Sequence, residues 1–355
     1  MSIPTEPIGS IPRPAELIAA WVDKQAGRIS IERFNQIAEN ALKDTIRRFE
    51  ATASPVITDG EQTKSSFATY PLDGATGLAT DGVVVPFEDG HTRQLPRLLS
   101  GPFRYATYAS TYLAAARRLT TRPVKQAVIS ASALSLLYPD AAIPDYPRDA
   151  FLSDLVDEAA SDIRRCLDGG ADSVQIDFTE GRLSLKLDPS GALLDSFVAL
   201  NNRVLDRFSP QERLRIGVHT CPGGDQDATH SASVDYAGLL PALFRMRAGR
   251  FYIQLASEAN PEGVLTIIGE HRQPDQKIFI GVTDPINPTV ETAELVRNRI
   301  LRAATYLPVS CLGTTDDCGF APFADDESTS RDIAFEKIRA RIAGTELAAR
   351  RLGQG

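Results

Sequence analysis

His219 and Cys221 stand two residues apart in the stretch "IGVHTCPGG", where an apolar run from Ile216 enters a glycine turn. On an extended segment residues i and i+2 point the same way, so one cation could touch both side chains. Imidazole nitrogen and thiolate sulfur are donors that zinc takes readily, and a catalytic zinc keeps three protein ligands with a further position open to exchange. Cys318, in "GTTDDCGF", offers a third donor. H-x-C is a short motif, and each residue has an ordinary alternative. His219 could bond a backbone carbonyl, Cys221 could be a small buried hydrophobe, and Cys318 a turn residue beside Gly319.

The remaining chemistry-bearing residues fall where short β-branched runs end: Ser10, Asp59 with Glu61, Ser130 with Ser132, Asp177 with Glu180, Gln254 then Glu258, and Asp284. Carboxylates placed together can hold an ammonium group. Asp177 and Asp284 could equally cap the loops or helices that follow them. Cys166 falls on the apolar face of a helix and Cys311 inside a strand, so both read as packing residues. His91, His230 and His271 lie in polar surroundings and read as solvated, although His230 shares a loop with Cys221.

The elements that carry these residues alternate. The runs are "EPIGS" from Glu6, "PVITDG" from Pro55, "QAVISAS" from Gln126, "DSVQID" from Asp172, "LRIGVH" from Leu214, "RFYIQLA" from Arg250, "KIFIGVTD" from Lys277 and "VSCLGTT" from Val309, eight in all. Amphipathic stretches lie between them. In "DAFLSDLVDEAASDIRRCLDGG", Phe151, Leu152, Leu155, Val156, Ala159, Ile163 and Cys166 share a helical face that Gly169 and Gly170 end. In "TVETAELVRNRILRAATYL", Thr289 is positioned as an N-cap, with Val290, Leu295, Val296, Ile300 and Leu301 spaced for burial.

Near-continuously apolar strands alternating with helices imply a parallel sheet covered by helices, and eight repeats favour an α/β fold closed as a (β/α)8 TIM barrel over an open doubly wound sheet. In such a barrel all strand ends converge at one mouth. The longest excursion follows the second strand, from about Glu61 to Arg117, and "GVVVPFEDGHTRQLP" within it predicts a hairpin turning at Asp89-Gly90. With no repeat array or long linker, residues 1–355 read as a single domain.

Composition excludes several functions. The 355 residues, 43% hydrophobic and 24% charged, carry a net charge of -8 and a pI near 5.2. Nucleic-acid binding through counterion release needs clustered Lys and Arg, and there is no basic stripe. No apolar run reaches the ~20 residues of a membrane helix, and "MSIPTEPIGSIPRP" lacks a signal-peptide pattern, so a cytoplasmic protein is expected. Four cysteines in so long a chain do not make a disulfide framework. Nothing in the sequence sets an oligomeric state.

Taken in order, the motifs resemble the catalytic barrel of the cobalamin-independent methionine synthases. "IGSIPRP" is similar to that family's I-G-S-F-P opening, "DGEQTKSSFATYP" to its G-E-x-x-R/K segment and "VQIDFTEG" to its Q-I-D-E-P strand end. "VHTCPGG" resembles the zinc-binding H-x-C, "GVTDPINPTVETAELVRNRI" the G-V-V-D segment with its following helix, and "TTDDCGF" the N-P-D-C-G-L turn. The resemblance implies a barrel holding Zn2+ that binds a thiol such as homocysteine as thiolate and directs it at a methyl donor. It implies His219, Cys221 and Cys318 as zinc ligands. Ser10, Glu61 and Asp177 would hold the amino-acid part of the thiol, and Asp177 and Asp284 would serve catalysis. The partners implied are a small thiol and a methyl donor, either methyltetrahydrofolate or a methylated corrinoid on a partner protein, with no nucleic acid and no membrane.

The sequence departs from the family pattern in three places. The family's fourth zinc ligand is a glutamate at the sixth strand end; here "IQLASE" puts Gln254 there, with Glu258 further out as a substitute. The loop after Cys221 is longer, and "HTCPGG" also resembles relatives that alkylate coenzyme M. "SASALSLLYP", ending near Tyr138, lacks the tryptophan of the family's pterin-binding segment, the chain's one tryptophan being Trp21. Competing readings are alkyl transfer to another thiol, a metal-free barrel like the uroporphyrinogen decarboxylases, and a catalytically silent binding barrel.

Overall fold

Six apolar runs become parallel strands because each is buried on both faces and closed off by turn residues. The computed structural model describes residues 3–87, 89–220 and 235–354. Four short strands come first in the chain. β1 (Leu78–Ala79) pairs antiparallel with β4 (Arg97–Leu98), and β2 (Val84–Pro86) with β3 (Thr92–Gln94). The sheet follows: β5 (Gln126–Ile129), β6 (Val174–Asp177), β7 (Ile216–Thr220), β8 (Arg250–Ile253), β9 (Lys277–Gly281) and β10 (Leu312–Thr315). Its order is β10-β9-β8-β7-β6-β5, all neighbours parallel, as expected where helices cross over between consecutive strands.

The two N-terminal runs join this sheet by single bridges rather than full strands. Thr5 bridges Thr314 of β10, and Ile57 bridges Val124 just before β5. Between them, Ile11 N donates to Gly60 O at 3.0 Å and Thr58 Oγ1 to Gly9 O at 2.8 Å. The ring of eight segments therefore passes from the Thr5 run through the Ile57 run to β5. These runs stay short because Pro4, Pro7 and Pro55 have no N–H to give a ladder, and because Gly60 and Glu61 turn into left-handed backbone at φ 65° and 54°.

Helices cover the outside. The helix Arg148–Asp168 buries Phe151, Leu155, Val156, Ala159, Ile163 and Cys166, and ends at Gly169 and Gly170, the latter at φ 82°. The helix Ala293–Ala303 starts later than its sequence suggests. Thr292, not Thr289, accepts the capping bond from Leu295 N, and Leu295 is left 43% exposed while Val296 and Ile300 are buried. Cys311 also differs: it lies in a 3-10 turn, Val309–Cys311, opened by Pro308, and its Sγ is 3.1 Å from Pro308 O, so it packs ahead of β10 rather than within a strand. No helix among the described residues is long and apolar enough to cross a membrane.

The barrel interior below the site is polar but closed. Tyr252 donates to Glu6 Oε2 and Arg250 to Glu6 Oε1, both at 2.7 Å, while Lys125 Nζ sits 4.0 Å from the Tyr252 ring centre. Burial drives the Lys125 pKa down to about 8 against the pull of Glu6. Buried charges survive only where they are paired, and this layer pairs them under the mouth.

Candidate active site

Strand ends far apart in sequence meet at one narrow cavity. Ser10, Glu61, Gln175, Asp177, His219 and Cys318 all line it, together with Phe67 and Thr179. Asp177 and His219 are register partners on β6 and β7, so their side chains leave neighbouring strands at the same height. Burial raises the Asp177 carboxyl above its ordinary range, with His219 pulling down and Glu61 pushing up.

Each wall is fixed by bonds that the sequence alone does not reveal. Glu61 holds φ 54°, a conformation that costs a non-glycine residue about 1 kcal/mol. Its backbone N donates to Asp59 Oδ1 at 3.0 Å, and Lys64 Nζ donates to Glu61 Oε1 at 3.0 Å with both side chains buried. The buried Arg13 guanidinium then clamps the turn, donating to Glu61 O and Lys64 O on one side and to Ala321 O and Phe323 O on the other. Ser10 sits under Gly319, where a Cβ would collide with its hydroxyl, and Ser10 Oγ accepts from Ala321 N at 3.2 Å.

Asp317, next to Cys318, binds the neighbouring turn. Its carboxylate accepts from Leu255, Ala256 and Ser257 backbone N–H groups and from Ser257 Oγ, at 2.7 to 2.8 Å. Burial still lifts its pKa to about 6. Gly281 is required beneath it, since a Cβ there would overlap Asp317 Oδ1. The Cys318 turn is thus anchored to the segment that follows β8.

Other candidates lie apart from the cavity. Cys221 and His230 lie outside the described residues. Gln254 and Glu258 face Arg182, whose Nη2 is 3.2 Å from Gln254 Oε1 and 2.8 Å from Glu258 Oε1, and neither lines the cavity. Asp284 Oδ1 accepts from Ile286 N at 3.0 Å, the turn-capping arrangement, and Asp284 does not line it either. Among the described residues no group of three or more His, Cys, Asp or Glu is gathered closely enough to hold a metal ion. His219 and Cys318 do share one wall, and they contribute a nitrogen and a sulfur donor, the borderline-soft set that suits zinc.

A second, larger cavity of about 510 Å³ adjoins the first, sharing Phe67 and Thr179 with it. Trp21, Phe67, Phe87 and Phe323 give it aromatic walls, and Glu180 is its buried carboxyl. Tyr138 is not in this wall; its hydroxyl donates to Tyr146 O at 2.8 Å. The tryptophan comes instead from the helix Ala15–Gln25, and Ile129, Ala133 and Leu136 supply the wall beyond β5.

Comparison with known proteins shows what this architecture is similar to. Residues 3–332 match the family model described as cobalamin-independent synthase, catalytic domain. The chain is 21% identical over 341 residues to a methionine synthase of Pyrococcus furiosus, covering 95% of this chain and 90% of that protein. It is 25% identical over 358 residues to a 5-methyltetrahydropteroyltriglutamate--homocysteine methyltransferase of Nitratidesulfovibrio vulgaris, covering 99% of this chain and 42% of the longer protein. In fold it resembles a B12-independent methionine synthase from Shewanella sp. W3-18-1 solved with selenomethionine, with a TM-score of 0.78 at 19% identity and 99% of each chain covered. A B12-independent methionine synthase described as putative from Listeria monocytogenes gives a TM-score of 0.74 at 20% identity, with 98% of each chain covered.

Proposed function

Since the chain belongs to the cobalamin-independent synthase family, matching its catalytic domain over nearly its whole length, we propose that it moves a methyl group from a methyl donor to the sulfur of an amino-acid thiol such as homocysteine. The observation that carries this reading is the convergence of Ser10, Glu61, Asp177, His219 and Cys318 on one cavity that opens beside a larger aromatic one. We read residues 1–355 as one catalytic unit.

His219 and Cys318, with Cys221 two residues beyond His219, are the residues that would hold zinc. Zinc bound there would keep the substrate sulfur as a thiolate at neutral pH, where a free thiol of pKa ~8.5 is mostly protonated. The protein's own groups set the rest of the thiol. Glu61 and Asp177 present carboxyl groups that pair with an ammonium, and Ser10 offers a hydroxyl held in place by Ala321 N. Two acidic side chains in the same wall favour a thiol bearing an ammonium over an anionic one such as a sulfonate thiol. The methyl donor, a methylated folate or a methylcorrinoid, would present its methyl group from the aromatic side past Phe67 and Thr179. In-line displacement then needs only that the sulfur, the methyl carbon and the leaving atom be aligned across that shared wall.

The test is metal content followed by substrate response. Protein purified without chelator should carry about one zinc per chain, and adding homocysteine should release a proton as its thiol becomes thiolate. Absence of bound metal in the wild type, or no proton release with homocysteine, would sink the reading.

A further inference from the structure

Glu180 is buried in the wall of the aromatic cavity, and its hydrogen bonds fix which of its oxygens carries a proton. Oε1 is 2.6 Å from Ser130 Oγ and also in contact with Ser132 Oγ. Ser130 Oγ already accepts from Ala133 N at 3.1 Å, and Ser132 Oγ accepts from Asn201 Nδ2 at 2.6 Å. The Asn201 amide is itself oriented, because its Oδ1 accepts from Ala131 N, a group that only donates. Both hydroxyl hydrogens therefore point at Oε1, and the 3.4 Å gap between the two serine oxygens leaves no stronger alternative. Oε2 is buried and has no hydrogen-bond partner. The acid proton is therefore left to Oε2, the unpartnered oxygen of a residue that lines the aromatic cavity.

Burial supports the same assignment, since it pushes the Glu180 pKa up to about 7, with the two serines pulling down and Asp177 adding to the rise. The other charged groups among the described lining residues are Arg93 and Asp325, which face each other through two bonds of 2.9 Å. A carboxyl poised near neutrality, with one oxygen saturated by donors and the other unpartnered in a side chain that lines the ligand cavity, is arranged to give up a proton and hold the resulting charge on Oε1.

We propose that Glu180 is the general acid of the transfer, giving its Oε2 proton to the leaving atom of the methyl donor seated in the aromatic cavity. This rests on the thiol-methylation reading above. The sulfur–carbon bond forms as the bond from the methyl carbon to the donor nitrogen breaks. The bonding pair goes to that nitrogen, which takes the Glu180 proton. The thiol's own proton has already gone to solvent on binding, and solvent returns one to Glu180 when product leaves. The sum is thiol plus methyl donor giving thioether plus protonated leaving group, with no oxidant or reductant.

Glu180→Gln tests this, because an amide keeps the acceptor for Ser130 and Ser132 and a donor in place of Oε2 but cannot transfer a proton. With zinc-loaded protein and homocysteine, the variant should lose about 100-fold or more of its rate with 5-methyltetrahydrofolate, whose leaving nitrogen needs a proton. It should keep its rate with methyl iodide, whose leaving iodide needs none. Quenching of Trp21, the chain's one tryptophan and a residue of this wall, should report unchanged folate binding. No loss with the folate, or equal loss with both donors, would overturn the assignment. If the wild type methylates homocysteine with neither donor, the thiol-methylation reading fails. Glu180 is then decided by infrared difference spectra of wild type against Glu180→Gln at pH 6. A carbonyl band of a protonated carboxyl supports the proton on Glu180, and carboxylate bands alone overturn it.

Discussion

Gln175 Nε2 donates to Asp177 Oδ1 at 2.7 Å from two residues back on β6, while Lys125 Nζ donates to Gln175 Oε1 at 2.7 Å from the neighbouring strand entry. An ammonium only donates, so the amide must present its oxygen to Lys125 and its NH2 to Asp177. The glutamine thereby turns a buried cation under the site into a fixed donor at the Asp177 carboxyl.

Gln175→Leu should loosen Asp177 without removing it. The KM for the thiol should rise about tenfold, the loss of a bond worth ~1.5 kcal/mol, with a smaller change in kcat. Steady-state kinetics separates the two. A fall in kcat at unchanged KM would show that Gln175 does not act through ground-state thiol binding.

Lys64 and Glu61 form a pair almost without solvent, with side-chain exposures of 0% and 4%, and Lys64 also donates to Ala127 O at 3.0 Å. Removing the cation alone strands a buried carboxylate. Lys64→Met should therefore cost about 3–5 kcal/mol in denaturant unfolding, and the double variant Glu61→Gln/Lys64→Met should be more stable than Lys64→Met alone. A single variant no worse than the double would mean that water reaches Glu61.

Much of this site can be read from sequence because strand ends carry it. Ser10, Glu61, Asp177, His219 and Cys318 are separated by as many as 308 positions, yet each follows a short apolar run, and barrel geometry brings such ends together. The supporting groups are less legible. Arg13, Lys64 and Gln175 stand inside motifs that carry the family resemblance, but their burial and their bonds cannot be read there, because burial of a charged or amide side chain depends on partners that only the closed ring supplies. Trp21 is a similar case. It lies in a helix ahead of the second barrel segment, and nothing in its local pattern ties it to the cavity beyond β5. The weak first and second strands have a plain cause, since prolines and left-handed turns leave each one bridge.

Asp162 gives the fold a pH dependence of known sign. Its carboxylate accepts from Tyr70 OH at 2.5 Å and from Ala109 N at 2.7 Å, and burial lifts its pKa to about 6 from an ordinary 3.8. Between those values the folded chain keeps a proton that the unfolded chain has released. Its contribution is therefore fully present below about pH 4 and is lost as pH rises through 6. Asp162→Asn cannot ionise and lacks that loss. Measured by urea unfolding, the variant should gain on the wild type by on the order of 2 kcal/mol between pH 4.5 and 7.5. A constant difference across that range would show that Asp162 is ionised throughout.

Arg182 bears on how many protein ligands the proposed zinc would have. Its guanidinium lies 4.4 Å from the Tyr236 ring centre and 2.8 Å from Glu258 Oε1, with side-chain exposures of 7% and 15% for the ion pair. Drawing Glu258 to a metal would take this carboxylate from a desolvated cation, at a cost of about 3–5 kcal/mol for a buried pair that loses one partner. Gln254 is a neutral amide whose Oε1 also lies within reach of Arg182, and its NH2 donates to Ser257 Oγ at 3.0 Å. Zinc held by His219, Cys221 and Cys318 alone would keep its fourth position for the substrate thiol, the arrangement of a catalytic rather than a structural site. Glu258→Gln should then retain about one zinc per chain, as in the wild type, whereas Cys318→Ser should lose most of it. Loss of zinc from Glu258→Gln to the level of Cys318→Ser would place the carboxylate on the metal and require Arg182 to release it.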